Sequence, residues 1–311
     1  MKNTSRIIFY VIGIMAIVGI AFMIIGKMNN GHLINVNIGR DGVKISDGPD
    51  FDMDTSDIGL NLIKGSEGEN KLAMDEKVGY DAAKVQELTL DLGAREVMIV
   101  ESEDDMIYVT NLSKYPIYTR LNDDELTISC DDGPGIGLNI GKKASSLKVV
   151  IAIPKGMRFD EAKLSLGAVK LDVTTVLNTD ELTIDIGAGQ ATFDGIEARE
   201  ATISVGAGQM TIKNFHADKL DADVGMGNME LSGDVKKDME LSCGMGSVKL
   251  EMEGRLEDHT IEYEVAAGSI RMDGRNLVEG GGEGTIDNNS DSKYELDCSM
   301  GSIELNWNGV L

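Results

Sequence analysis

Three pairs of carboxylates sit two residues apart on strand-like stretches: Asp221 with Asp223, Glu262 with Glu264, and Glu295 with Asp297. Residues i and i+2 of a strand leave the same face, so each pair presents its carboxylate oxygens together. Ca2+ favours such sets, because it takes roughly six to eight oxygen ligands. Clustered carboxylates also carry glycan-cleaving chemistry. Asp185 and Glu240 fall in the same outward columns, Thr and Ser fill most of the rest, and no Lys or Arg does. If the strands stack in register, these acids form one face with like charges about 5 Å apart, which is destabilising. A bound cation would relieve that repulsion. The alternative is a solvated face that keeps the sheet soluble and unpaired. The solvated face is the preferred reading, because no loop resembles an EF-hand or a glycine-rich calcium repeat. Ca2+ is the one cofactor the residues suggest, with Asp221, Asp223, Glu262, Glu264, Glu295 and Asp297 as its candidate ligands.

Other chemistry-bearing residues point to no reaction. Cys243 and Cys298 each end a strand on its inward side. Intervening coils are expected to hold them too far apart for a disulfide, so they read as small buried hydrophobes. Cys130 ends the LTIS strand and reads the same way. An odd cysteine count in an exported chain leaves intermolecular pairing open. No CxxC has zinc spacing. His32, His216 and His259 are scattered, with no His partner at metal-ligand spacing. A Ser-His-Asp triad can assemble from distant segments, but no such arrangement is visible, and no catalytic residue is assigned.

The elements that position the acids repeat. DIGAGQATFDG starts at Asp185, SVGAGQMTIKN starts 19 residues later, and DVGMGNMELSG a further 19 later. A Gly-x-Gly turn cradles phosphate when a helix follows it. Here a strand follows each time. The turns begin near Gly93, Gly167, Gly187, Gly206, Gly225, Gly244, Ala266 and Ser299, and from Gly167 the spacings are 20, 19, 19, 19, 22 and 33 residues. Self-similarity at this period marks a solenoid. Before the turn, Leu182, Ile184 and Ile186 alternate with Thr183 and Asp185; after it come inward pairs such as Ala191 with Phe193 and Met210 with Ile212. Each coil therefore reads as strand, corner, strand and polar return, with neighbouring coils about 4.8 Å apart.

The corner glycines are Gly187, Gly189, Gly206, Gly208, Gly225, Gly227, Gly244, Gly246, Gly268 and Gly301. Glycine suits a corner because it accepts positive φ and close backbone approach. The residue between the glycines (Ala188, Ala207, Met226, Met245, Ala267 or Met300) is expected to plug the corner of the core. Trp307, near the C-terminus, is expected to cover the open end of that core.

The strand SSLKVVIAIPKG, ending at Pro154-Lys155-Gly156 and followed by repeated Gly-x-Gly strand corners, resembles the bacterial putative adhesin family of β-strand-repeat domains. The resemblance covers roughly residues 84–311, and a single N-terminal span also fits members of that group. The corners depart from the pattern at Gly93-Ala94-Arg95 and Gly167-Ala168-Val169, which lack the second glycine, and at Ser299-Met300-Gly301, which lacks the first. The resemblance implies a surface role and no catalytic residues.

Charge sets the wider context. The chain holds 53 acidic and 29 basic residues, a net charge of -24. Such a surface argues against nucleic acid and against a peripheral hold on anionic lipid. No acid precedes Asp41, whereas Lys2, Arg6 and Lys27 flank the uncharged run IIFYVIGIMAIVGIAFMII at residues 7–25. Nineteen residues at 1.5 Å each match a hydrocarbon core of roughly 30 Å. The run is longer than a signal-peptide core, and Ala21-Phe22-Met23 is a poor cleavage site. A retained transmembrane helix with a cytoplasmic N-terminus is expected. Residues 28–83 are rich in Gly, Asp, Asn and Ser and read as a juxtamembrane linker, with a short hairpin at Val43–Ile45. Between Glu101 and Phe159 the repeat loosens, and wider β excursions are expected.

The fold class expected is all-β: a solenoid, a single-stack β-helix-like body of about 19–20 residues per coil at residues 84–311, behind the linker at 28–83 and the tip and anchor at 1–27. The function expected is that of a non-enzymatic, adhesin-like cell-surface protein. Its partners would be the membrane, through residues 7–25, and a wall polymer or surface ligand held on a rigid face, with no nucleic acid. An envelope-stress sensor or regulatory scaffold binding a neighbouring membrane protein is the alternative. A carbohydrate-active enzyme is a third reading.

Overall fold

The structure, a computed structural model, describes residues 33–39, 42–48, 61–64, 68–93, 95–130 and 148–308, the first three stretches and Val169 by backbone alone. The anchor expected at residues 7–25 lies outside the described residues. Among the described residues, no helix is long and apolar enough to cross a membrane.

The body is all-β, and its centre follows the alternation in the sequence. Arg158–Val224 (β12) is a continuous extended ribbon that winds through several coils, carried on by Asn228–Cys243 (β13) and Ser247–Glu253 (β14). Leu182, Ile184 and Ile186 are buried, as are Ala201, Ile203 and Val205 a coil later; the residues between them stay accessible. Neighbouring coils pair parallel and in register, with Met210 opposite Met229, Ile212 opposite Leu231 and Leu220 opposite Met239. One coil cannot bury its apolar side alone, but stacked coils share a continuous core. The polar return also contributes to that core: Leu177, Ile196, Phe215 and Val235 are fully buried.

The corners work by close approach. A Cβ on Gly208 would lie 2.7 Å from the carbonyl oxygen of Gly189, and one on Gly244 would lie 2.7 Å from that of Gly225. Neither glycine has a left-handed φ, so backbone contact and not conformational freedom demands them. The residue between the glycines does not plug the core. Met300 is 62% exposed, Ala267 is exposed, and Ala188, Ala207, Met226 and Met245 are half-buried. The reason is geometric: backbone fills the side that the glycines face, so the intervening side chain leaves on the other.

Both ends of the stack depart from chain order. At the N-terminal end, Glu87–Leu92 (β6) and Glu96–Ser102 (β7) lie directly on β12. Glu125–Ser129 (β10) and Lys148–Pro154 (β11) stack parallel on β6 and β7. Met106–Asn111 (β8) and Ile117–Asn122 (β9) then pair antiparallel with β11 and β10, as one reversed coil. Gly68–Leu72 (β4) and Glu76–Asp81 (β5) pair with β9 and β8, and Asn61–Lys64 (β3) pairs with β5. Leu72 and Val78 enter the core, so the body begins ahead of residue 84, inside the segment read as a linker. Leu33–Gly39 (β1) and Gly42–Gly48 (β2) form a hairpin with Val43 opposite Ile38, where a hairpin was expected.

At the C-terminal end, Lys293–Cys298 (β19) and Ser302–Asn308 (β20) stack on β13 and β14. Thr260–Val265 (β15) and Ser269–Met272 (β16), earlier in the chain, lie outside them. Arg275–Glu279 (β17) and Gly282–Ile286 (β18) close the edge antiparallel, as a second reversed coil. Two expectations fall here. Trp307 belongs to the inserted coil, its ring stacked 5.0 Å from His259 and 5.9 Å from Tyr294; the reversed coil, not Trp307, covers the end. Cys243 and Cys298 are direct register partners, because the intervening coil takes the outer position. Both thiols are free and buried. Burial, with the neighbouring Cys298 second, pushes the Cys243 thiol up to about 11. Both cysteines are protonated apolar fillers at neutral pH.

The aromatic stack has a pH consequence. His259 is buried, its Nδ1 2.6 Å from the Ser292 hydroxyl, and burial holds its pKa below the ordinary value against the opposing pull of Asp258 and Asp234. A group that binds protons more weakly when folded contributes stability that is full above its unfolded pKa of about 6.5 and declines as the pH falls through that value. The melting temperature should therefore drop between pH 7.5 and pH 5.5. His259→Phe should remove that part of the slope in a thermal melt series.

Candidate functional site

Two outward faces of the stack carry the polar chemistry. The first holds the acids before the corner. Its inner-to-outer register runs Asp221, Glu240, Glu295, Glu262 and Thr285 in one column. The second column runs Asp223, Ser242, Asp297, Glu264 and Glu283. The structure brings all six candidate ligands onto one face and adds Glu283, which lies on the reversed coil and breaks the repeat pattern. Coil order makes the first column denser than the sequence order suggests, because Glu295 enters between Glu240 and Glu262.

The acids form ladders and not a cage. Among the described residues, no group of three or more His, Cys, Asp or Glu side chains converges to hold a metal ion. One cation is built in instead. Lys293 Nζ lies 2.9 Å from Glu262 Oε2 and 2.7 Å from Glu295 Oε1, and these contacts raise its pKa. Sequence columns missed it because it sits one residue before the alternation starts. Farther along, Asp223 has its pKa raised by burial and by the adjacent Asp221.

The second face follows the corner. Gln209, Asn228, Ser247, Ser302 and Ser269 occupy successive rungs and line a groove of about 400 Å3. The Ser302 hydroxyl donates to that of Ser247 at 3.2 Å. Two residues on, Glu230, Lys249, Glu304 and Arg271 alternate in sign along the same strands. Lys249 pairs with Glu251 at 2.8 Å within its own strand. Gln209 and Asn228 are exposed and make no internal hydrogen bond. This row was legible in principle, since the residue after the second corner glycine is uncharged and polar in each of these coils. A row of amides and hydroxyls at strand spacing can bind an extended chain that carries hydrogen-bonding groups at regular intervals.

A family model described as Toastrack DUF4097 matches residues 85–279. The chain belongs to this family. The Toastrack match runs from just before β6 to the end of β17, so the inserted coil β19–β20 lies beyond it. No curated protein matches the chain. Among solved structures, a putative adhesin from Bacteroides fragilis is 12% identical, covering 78% of this chain and 99% of its own, with a TM-score of 0.40. A putative cell adhesion protein from Clostridium sporogenes is 14% identical over 78% of this chain and 100% of its own, with a TM-score of 0.33. A putative lipid binding protein from Parabacteroides distasonis is 12% identical over 81% of this chain and 100% of its own, with a TM-score of 0.32. Likeness at this level says nothing of what this Toastrack chain binds.

A solvated acidic face makes a specific demand on salt and calcium. Lys293→Gln should lower the melting temperature at low ionic strength, with the deficit shrinking at high salt as the carboxylates are screened. The wild-type melt should be the same in EDTA and in millimolar calcium. A calcium-dependent rise would place the cation on this face.

Proposed function

We propose that this Toastrack protein is a non-enzymatic, adhesin-like cell-surface protein that holds a cell-wall polymer along its rigid stack. In this reading residues 7–25 anchor it as a single membrane span, with the N-terminus cytoplasmic and the β-body outside. The observation that carries the reading is the groove of in-register amides and hydroxyls running from Gln209 to Ser269. Its hydrogen-bonding groups repeat every ~4.8 Å along the stack axis, and Gln209 and Asn228 have no internal partner to give up. The parallel ladder behind them fixes their spacing before the ligand arrives, which limits the ordering cost of binding. The net charge of -24 favours a neutral or cationic polymer over a polyanion.

The test is sedimentation of the full-length, detergent-solubilised protein with purified wall polymer. The Gln209→Ala/Asn228→Ala variant should bind about tenfold more weakly at unchanged melting temperature, since each lost hydrogen bond is worth about 0.5–1.5 kcal/mol. Equal retention of wild type and variant would remove the groove from the account. Failure of wild type to bind, with in-cell crosslinking to a neighbouring membrane protein, would favour the regulatory scaffold.

A further inference from the structure

The corner position between the glycines separates the coils into two kinds. Ala188, Ala207 and Ala267 show that a methyl group is enough for the turn. Three coils carry methionine there, and in space these are consecutive. The Met245 amide donates to the carbonyl of Gly225, the residue before Met226, at 2.7 Å; the Met300 amide donates to that of Gly244, the residue before Met245, at 2.7 Å. The Met226 amide in turn reaches Gly206 at 2.8 Å, beside Ala207, and the Ala267 amide reaches Ser299 at 2.7 Å, beside Met300. Alanine therefore bounds the row on both sides. Sequence order hides the row, because Ala267 stands between Met245 and Met300 in the chain. Insertion of β19–β20 beneath β15–β16 brings the three methionines together.

The row faces outward. Met300 is 62% exposed, and Met226 and Met245 are half-buried, whereas Met210, Met229, Met239 and Met252 of the same coils are buried. Equivalent positions on parallel, in-register rungs project the same way, about 4.8 Å apart. Each methionine has three rotatable bonds and a polarisable thioether, so three sulfurs at this spacing can converge on one point above the corner. Thioethers are soft, neutral ligands that select Cu(I) over hard cations. Asp223 and Asp297 stand three residues ahead of Met226 and Met300 on the accessible face, and the chain's net charge is -24. That negative field favours a cation at the corner. The two thiols nearest in sequence, Cys243 and Cys298, point the opposite way into the core.

We propose that Met226, Met245 and Met300 form a three-thioether site for a soft monovalent cation, Cu(I) or its analogue Ag(I). The site is separate from the amide and hydroxyl groove and does not depend on what that groove binds. Binding needs no electron transfer, because the ion arrives in its monovalent state and the thioethers carry no proton to release.

The test is anaerobic Cu(I) titration of the full-length protein in competition with a chromophoric Cu(I) chelator, repeated with Ag(I) while following 13C-labelled methionine methyl signals. Wild type should withdraw one Cu(I) per chain, and Ag(I) should shift three methyl signals together. Met226→Leu/Met245→Leu/Met300→Leu keeps the side-chain volume and should melt as wild type does, yet lose at least tenfold in affinity. A variant with Cys130, Cys243 and Cys298 all changed to Ser, checked by its melt, should retain the site. If that variant melts as wild type does but loses the ion, the thiols hold it and the proposal fails. If it is unstable, the methyl shifts and the leucine variant decide. Equal affinity in the leucine variant, or no withdrawal by wild type, would also overturn the proposal.

Discussion

Everything on the surface of this molecule depends on how closely one backbone passes another at the corners. Where a Cβ on Gly208 or Gly244 would lie 2.7 Å from a carbonyl oxygen of the next coil, no larger residue fits without moving the stack. That contact sets the coil spacing and keeps the register parallel. Register then turns one-sided strands into a core in which Leu241 lies over Leu296 and Val248 over Ile303. The same register lines up the polar residues. The acidic columns, the amide and hydroxyl groove and the thioether row are each a single coil position repeated along the axis.

A parallel stack has a weakness at its ends, where an edge strand offers unpaired backbone groups to any other chain. The two ends meet it alike. Each places a coil out of chain order and then covers it with a reversed, antiparallel coil: β8–β9 at one end and β17–β18 at the other. At the C-terminal end this threads the final coil between two earlier ones. The Tyr294 hydroxyl donates to the Val235 carbonyl at 2.5 Å, and His259, Tyr294 and Trp307 stack together. The inserted coil is thereby tied both to the coil beneath and to the one outside it.

The repeat itself was legible because a 19-residue period and a two-residue alternation are local signals. They placed Leu182, Ile184, Ile186 and their equivalents correctly on the inward side. Coil order was not legible, since β15 and β19 have the same inward-outward pattern and either fits on β13. That ambiguity explains why Cys243 and Cys298 were expected apart and Trp307 at the end. The third inward column was hidden for another reason: Leu177, Ile196, Phe215 and Val235 are lone apolar residues in polar returns, with no periodicity to reveal them. The corner residue was misread because alignment shows that a position recurs, not which way its side chain leaves. For the acidic face, the residues were found but their neighbours Glu283 and Lys293 were not, because neither lies in a repeated column.

The insertion of the final coil is the claim on which the acidic columns, the groove and the thioether row all rest. It is tested most directly by pulsed EPR distances from a spin label at residue 163 to one at residue 295 or at residue 262, with the native cysteines replaced by alanine. All three positions face outward in one column of the stack. The account requires the 163–295 distance, roughly 24 Å, to be shorter than the 163–262 distance, roughly 29 Å, by about one strand spacing. The reverse order would mean that the coils stack as they follow one another in the chain, and it would contradict the account.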